Sequence, residues 1–199
     1  MRVAAAILCA MAAGATTASA QGLQYAVKGG VTLSTFHSEI AGESTPYDLL
    51  TGFAVGASIT WPLGSRLALE PDVFFSQKGA KADAAGGTLT QRIEYLEIPV
   101  LGTYRVFGGP DRHVSALGGV SIGWRLRAKA RASFGDDTLE QDITDDVKSS
   151  DFGVVGGAAY HRGRLVIEGR YTFGFTDLDQ DDDVTVKNRS LSILAGWRF

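Results

Sequence analysis

The sequence predicts an all-β fold, an eight-stranded antiparallel up-and-down transmembrane β-barrel. Three observations predict it. Apolar and polar residues alternate with period two through eight segments of about ten residues, the length a tilted strand needs to cross a bilayer. The connections alternate between short turns and long polar segments, as in barrels whose rims face different compartments. Aromatic rings on the more apolar face gather towards the segment ends, while the opposite face carries charges in mid-strand.

The chain divides into residues 1–20, read as a cleaved signal peptide, and residues 21–199, read as one barrel domain. Arg2 gives a positive start, Val3 to Ala13 form an apolar run, and Ala18-Ser19-Ala20 fits small-x-small cleavage before Gln21. The run is too short to span a bilayer as a helix. The one cysteine, Cys9, lies in this leader; lipidation there would require a very short leader with Leu8 before the cysteine, so the cleaved-leader reading is preferred. The domain then has no disulfide and no thiol metal site. Arg2 is the leader's one charge, so 18 of the 19 basic residues face 22 acids downstream, a balance of −4 and no nucleic-acid footprint. No apolar stretch approaches the length of a membrane helix, but hydropathy is blind to strands whose apolar residues alternate with polar ones.

The eight predicted strands are 23–34, 52–61, 67–76, 96–105, 114–127, 152–160, 165–175 and 191–199. In the first, Leu23, Tyr25, Val27, Val31 and Leu33 share one face and Gln24, Lys28, Thr32 and Ser34 the other. Short turns follow the second, fourth and sixth strands, at 62–65, 108–112 and 162–163. Long polar segments, read as exposed loops, follow the others near 37–49, 79–89, 132–148 and 177–187. Both termini then lie with the short turns, on the periplasmic side of an outer membrane.

Alternation alone does not say which face meets what, because a secreted lipocalin-like barrel points its apolar face inward. The aromatics decide for the membrane arrangement. Tyr25, Trp61, Tyr104, Tyr160, Trp197 and Phe199 fall near the short-turn rim, and Phe53, Phe75, Trp124, Phe152, Phe173 and Phe175 near the long-loop rim, as two girdles. The opposite face carries Glu70, Glu97, Arg105, Arg125, Glu168, Arg170 and Arg198, groups that can pair in a lumen but are costly against lipid. The final strand ends on Phe199, two residues after Trp197, an aromatic ending that partly resembles the signal read by barrel-assembly machinery.

Local motifs extend the resemblance. Val27-Lys28-Gly29-Gly30-Val31 opens the barrel, and Leu69-Glu70-Pro71-Asp72-Val73-Phe74-Phe75-Ser76-Gln77-Lys78-Gly79 forms the third strand. Tyr95-Leu96-Glu97-Ile98-Pro99-Val100-Leu101 begins the fourth. Phe152-Gly153, Gly169-Arg170-Tyr171 and Asn188-Arg189-Ser190-Leu191 follow. On these residues the chain resembles the bacterial outer-membrane β-barrel family known as the porin family, or PorT-like. The resemblance covers nearly the whole domain and implies the fold and an outer-membrane location; it says little about function.

The lumen charges read first as a closed polar plug, since eight strands leave room only for side chains. Arg125, Arg127, Lys129 and Arg131 recur every two residues on the lumen side and are expected to neutralise acids of the following loop. Eleven of the 22 acids lie in two segments, Asp136 to Asp146 and Asp177 to Asp183. Their spacing lacks the glycine and distal glutamate of an EF-hand, so solvated loops are expected, with no metal and no cofactor. A lipid A-modifying enzyme would need a histidine at the external rim; His113 and His161 fall at the other, and only His37, before Ser38 and Glu39, is at the correct rim, in a loop. The expected role is therefore structural or in cell-surface interaction, not catalysis, with a narrow porin-like channel for small solutes as the alternative and an enzyme or lipocalin-like binder behind it. The expected partners are the lipid bilayer, lipopolysaccharide and the assembly machinery through the last strand. The sequence names no extracellular partner.

Overall fold

Eight amphipathic strands can satisfy all their backbone groups in lipid only by closing on themselves. The computed structural model, which describes residues 22–40, 43–46, 48–84, 86–134, 137–176 and 185–199, shows that closure. Its strands are β1 (Gln24–Ile40), β2 (Glu43–Pro46), β3 (Asp48–Pro62), β4 (Leu67–Ala84), β5 (Gly87–Gly108), β6 (Arg112–Phe134), β7 (Asp137–Asp142), β8 (Ser150–Arg162), β9 (Leu165–Gly174) and β10 (Thr185–Arg198). Eight of them run antiparallel in the order β1-β3-β4-β5-β6-β8-β9-β10, and β10 pairs with β1 to complete the ring. The seam is continuous from Ala26↔Arg198 to Glu39↔Thr185. Gly30 lets it close, because a Cβ there would lie 1.9 Å from the Ile193 carbonyl oxygen. Arg162 pairs with Leu165 across the β8–β9 turn, and Gly163 takes it at φ 57°.

The two faces follow the predicted phase. On β6, Val120 is 60% exposed and its neighbour Ser121 6%. Val31, Ile59, Val100, Val154, Ile167 and Ile193 are likewise exposed, while Lys28, Ser58, Asp72, Glu168 and Arg170 are buried. A fold that exposes its branched aliphatics and buries its charges has lipid outside and a side-chain-filled lumen inside. Every aromatic predicted for the girdles keeps its outward phase, and Phe53–Phe75 and Phe173–Phe175 are in ring contact at 5.7 and 5.3 Å. Phe107, 63% exposed, also points outward near the short turns; the extra residue Val106 in the β5–β6 ladder turns it there.

The eight strands stand where alternation puts them but several run further, and three predicted loops are largely ordered strand. Segment 79–89 is the continued β4–β5 hairpin, paired to Ala84↔Gly87. Segment 37–49 holds the end of β1, with β2 laid against it, and the start of β3. Segment 132–148 holds the end of β6, the whole of β7 and a 3-10 turn at Thr144–Asp146. The leader, Asp136 and residues 177–184 lie outside the described residues, as do the side chains of His37, Ser38 and Glu39.

The cationic run of β6 requires a correction. Glu94 pairs with Arg127 but Tyr95 pairs with Arg125, so Leu126 is an extra residue. Such a bulge exchanges the faces beyond it. Arg125 stays on the lumen side with Tyr95, whereas Ala128, not Arg127, is buried above it. Arg127, Lys129 and Arg131 therefore face outward, beside β7, and not into the lumen as predicted. There Arg127 pairs with Asp142 at 3.4 Å, and Lys129 and Arg131 both pair with Glu140. Their expected task, neutralising the acids that follow, is what this arrangement performs.

Strand β6 provides the test of the faces. Cys9 is the chain's one cysteine, so single cysteines can be scanned in a Cys9→Ser background. A lipid-soluble thiol reagent should label Val120→Cys, Ile122→Cys and Trp124→Cys, and spare Ser121→Cys and Gly123→Cys. The reverse pattern would sink the assignment. In reversible unfolding from vesicles, Ile122→Arg should cost about 2–4 kcal/mol.

Candidate functional site

A period-two strand sends every second side chain into the lumen, so the candidate site is assembled from residues far apart in sequence. At its centre stand Lys28 from β1, Glu70 and Asp72 from β4, and Glu168 and Arg170 from β9. Lys28 Nζ donates to Glu70 Oε1 at 2.7 Å and to Glu168 Oε2 at 2.8 Å. Arg170 reaches Asp72 Oδ2 at 2.6 Å and Glu70 Oε1 at 3.4 Å, and its Nε donates to Glu168. Thr60 Oγ1 donates to the other oxygen of Glu70 at 2.8 Å. The guanidinium also lies over the Phe74 ring, 5.3 Å from its centroid. All five charged side chains are at most 7% exposed. Breaking one such pair leaves a charge in a medium that cannot solvate it.

A second polar level lies towards the long-loop rim. Lys78 and Ser76 both donate to Glu97, and Asn188 donates to Asp151 at 3.2 Å. Arg125 donates to the Val147 carbonyl. Above this level Phe36, Ala80, Ile93, Tyr95 and Ala128 form an apolar cluster, against which Ile143 and Val147 pack. The segment after β7 thus folds in over the barrel's long-loop end.

The opposite end is hollow. A cavity of about 170 Å³ opens among the short turns, with Glu70 and Glu168 at its inner end and Arg66, Arg105, Arg198, His113 and His161 around it. The two imidazoles are stacked, 4.3 Å apart and 15° from parallel. Arg198 donates to Gln24 Oε1 at 3.0 Å and to the Gly163 carbonyl.

The seven predicted lumen residues therefore occupy three levels. Glu70, Glu168 and Arg170 are brought together at the centre. Glu97 and Arg125 belong to the second level, and Arg105 and Arg198 to the cavity. Lys28, Asp72 and Lys78 complete the ion pairs and were not among the seven, although the alternation places Lys28 and Asp72 on the inner face. Lys78 belongs to the motif quoted for the third strand but lies two residues past the alternation read there, 67–76, where only the continued phase could have found it.

Outside the membrane-spanning segments, hydrogen bonds from Lys129 and Arg131 hold the Glu140 carboxyl down at about 2. The Thr144 hydroxyl and backbone N–H hold Asp142 below its ordinary value. A depressed carboxylate gives stability that is present above its unfolded value of about 4.3 and lost as the pH falls through its folded one. The Glu140 contacts to β6 therefore persist until about 2. Among the described residues, no group of three or more His, Cys, Asp or Glu is placed to hold a metal.

Comparison with known proteins places this architecture. A family model described as "Outer membrane protein beta-barrel domain" matches residues 17–180. No curated protein matches the sequence. Similar solved structures include the outer membrane protein OprG from Pseudomonas aeruginosa, at 12% identity over 90% of this chain and 97% of that one, with a TM-score of 0.52. Neisserial surface protein A is similar at 14% identity over 90% and 100%, with a TM-score of 0.51. Ail of Yersinia pestis matches at 15% identity over 89% and 99%, with a TM-score of 0.49. At these identities the likeness to OprG and the Neisserial protein is one of fold.

The central cluster makes a measurable claim. Arg170→Met removes the partner of three buried carboxylates and should destabilise the barrel by about 3–5 kcal/mol in reversible urea unfolding from vesicles. In the Lys28→Met, Arg170→Met double-mutant cycle the two effects should fail to add, by about 0.5–3 kcal/mol. Additive or negligible losses would mean that the five side chains do not act as one network.

Proposed function

We propose a role that starts from family membership: the chain belongs to the outer membrane protein beta-barrel domain family. Within the bacterial outer membrane it is a closed barrel with a structural or cell-surface interaction role, its short turns and both termini periplasmic. The observation that carries this reading is the lumen, crossed by the Lys28, Glu70, Asp72, Glu168 and Arg170 network and capped by the apolar cluster around Tyr95. A solute passing through would have to part ion pairs and displace packed rings. What the barrel offers its surroundings lies beyond its long-loop rim, in the β4–β5 hairpin and the β6–β7 ribbon with exposed Arg127 and Arg131. The bilayer and lipopolysaccharide are its expected neighbours there. The girdle aromatics anchor the barrel at the two interfaces, and the last strand is its handle for assembly machinery.

No catalytic role is part of this reading: His113 and His161 are stacked on each other at the short-turn rim, and the side chain of His37 lies outside the described residues. The porin-like alternative has a direct test. Refolded protein in planar bilayers should show no discrete conductance steps, because the network and the apolar cap fill the path. Reproducible steps from the native protein would replace the plug with a channel.

A further inference from the structure

The cavity at the short-turn end has a composition that a closed plug does not require. Arg66, Arg105 and Arg198 line it, together with the stacked His113 and His161. Among the described residues none of these three arginines makes an ion pair. Arg198 reaches only neutral oxygens, those of Gln24 and Gly163. Arg105 Nε, His113 Nδ1 and His161 Nδ1 are buried and have no hydrogen-bond partner among the described residues. His113 is itself only 8% exposed. The carboxylates of the inner end, Glu70 and Glu168, are bonded to Lys28 and Arg170 and make no ion pair with these arginines.

Two guanidinium groups and two imidazoles thus share one cavity, whose own carboxylates, Glu70 and Glu168, make no ion pair with them. Two guanidinium charges at one mouth with no carboxylate paired to them favour an anion that joins them. At 170 Å³ the cavity has more than ten times the space of about 10–15 Å³ that one water needs. Guanidinium forks match the oxygens of phosphate and carboxylate, and an imidazole N–H adds a further donor.

We propose that this cavity is a binding site for a small oxyanion, a phosphate or carboxylate group held chiefly by Arg105 and Arg198 with His113 and His161 beside them. The site is separate from the central network and does not depend on whether the barrel conducts. The bound group is supplied either by a soluble anion or by the headgroup of an anionic lipid at the rim.

The experiment uses the full barrel in nanodiscs, which leave both mouths open, and inorganic phosphate as the probe in a calorimetric titration. In phosphatidylcholine the native protein should bind phosphate saturably. Arg105→Gln should weaken binding about ten-fold or more, as expected for loss of a charge-assisted contact. Arg92→Gln, at the far rim, should bind as the native protein does. Heat-modifiable gel mobility checks that each variant is folded, and Arg198→Gln is read in place of Arg105→Gln if the latter is not. Absence of saturable binding, or undiminished binding by a folded Arg105→Gln or Arg198→Gln protein, overturns the proposal. Repeating the titration in nanodiscs containing phosphatidylglycerol separates the sources. Weakened phosphate binding there identifies a lipid headgroup as the occupant, and unchanged binding identifies a soluble anion.

Discussion

Lys28 and Arg170 hold three carboxylates in the middle of the lumen, and the rest of the barrel is arranged around that contact. A ring of eight strands encloses little more than its own side chains. Outward positions must be apolar because they meet lipid, so every charge a membrane strand carries has to turn inward. There it finds neither bulk water nor lipid, only the side chains of other strands. Residues 28, 70, 72, 168 and 170 come from three strands that are not ladder neighbours, so their pairing ties the wall together across its diameter. Such a cluster adds little stability over a well-packed apolar one, but it tolerates no partial loss. It also fixes register, since a slip of one residue on any of these strands would present its charges to lipid.

The bulge at Leu126 serves a different need on the same strand. Below it β6 must keep alternating against lipid. Above it the strand leaves the membrane, and its cations would be buried if the phase continued. One extra residue reverses the phase and puts Ala128, fully buried, where a lysine or arginine would otherwise sit. Phe36, Ile93 and Tyr95 can then pack an apolar cap, while Arg127, Lys129 and Arg131 meet the acids of β7 outside. Val106 acts in the same way at the other end of β5, where it keeps Phe107 on the lipid side.

This division also explains what the sequence could disclose. Strand positions, ring topology and the inward phase of Glu70, Glu168 and Arg170 follow from period two, which local residues carry in full. A bulge adds a single residue with no composition of its own. Leu126 looks like one more member of the alternation, so Arg127, Lys129 and Arg131 read as lumen residues when they are not. The strand extensions were hidden for a related reason. Beyond the membrane neither face meets lipid, the apolar alternation fades, and Gly79 to Leu89 reads as loop although its backbone is paired from Gly79↔Arg92 to Ala84↔Gly87. Lys28 and Asp72 were visible as inward residues; their partnership with Arg170 was not, because the pairing crosses the barrel and leaves no trace in local spacing.

The two ends of the lumen differ in how their polar groups are satisfied, and the difference follows from which end is closed. Under the apolar cap, Arg125 takes a backbone carbonyl and Lys78 a carboxylate, so each cation has a protein partner. At the short-turn end, Arg66 and Arg105 lack such partners among the described residues, and Arg198 has only neutral ones. An open mouth permits this, because water reaches a guanidinium there and lowers the penalty of leaving it unpaired. The arginines in turn offer a smaller anion a place that the fixed carboxylates, already committed to Lys28 and Arg170, do not fill.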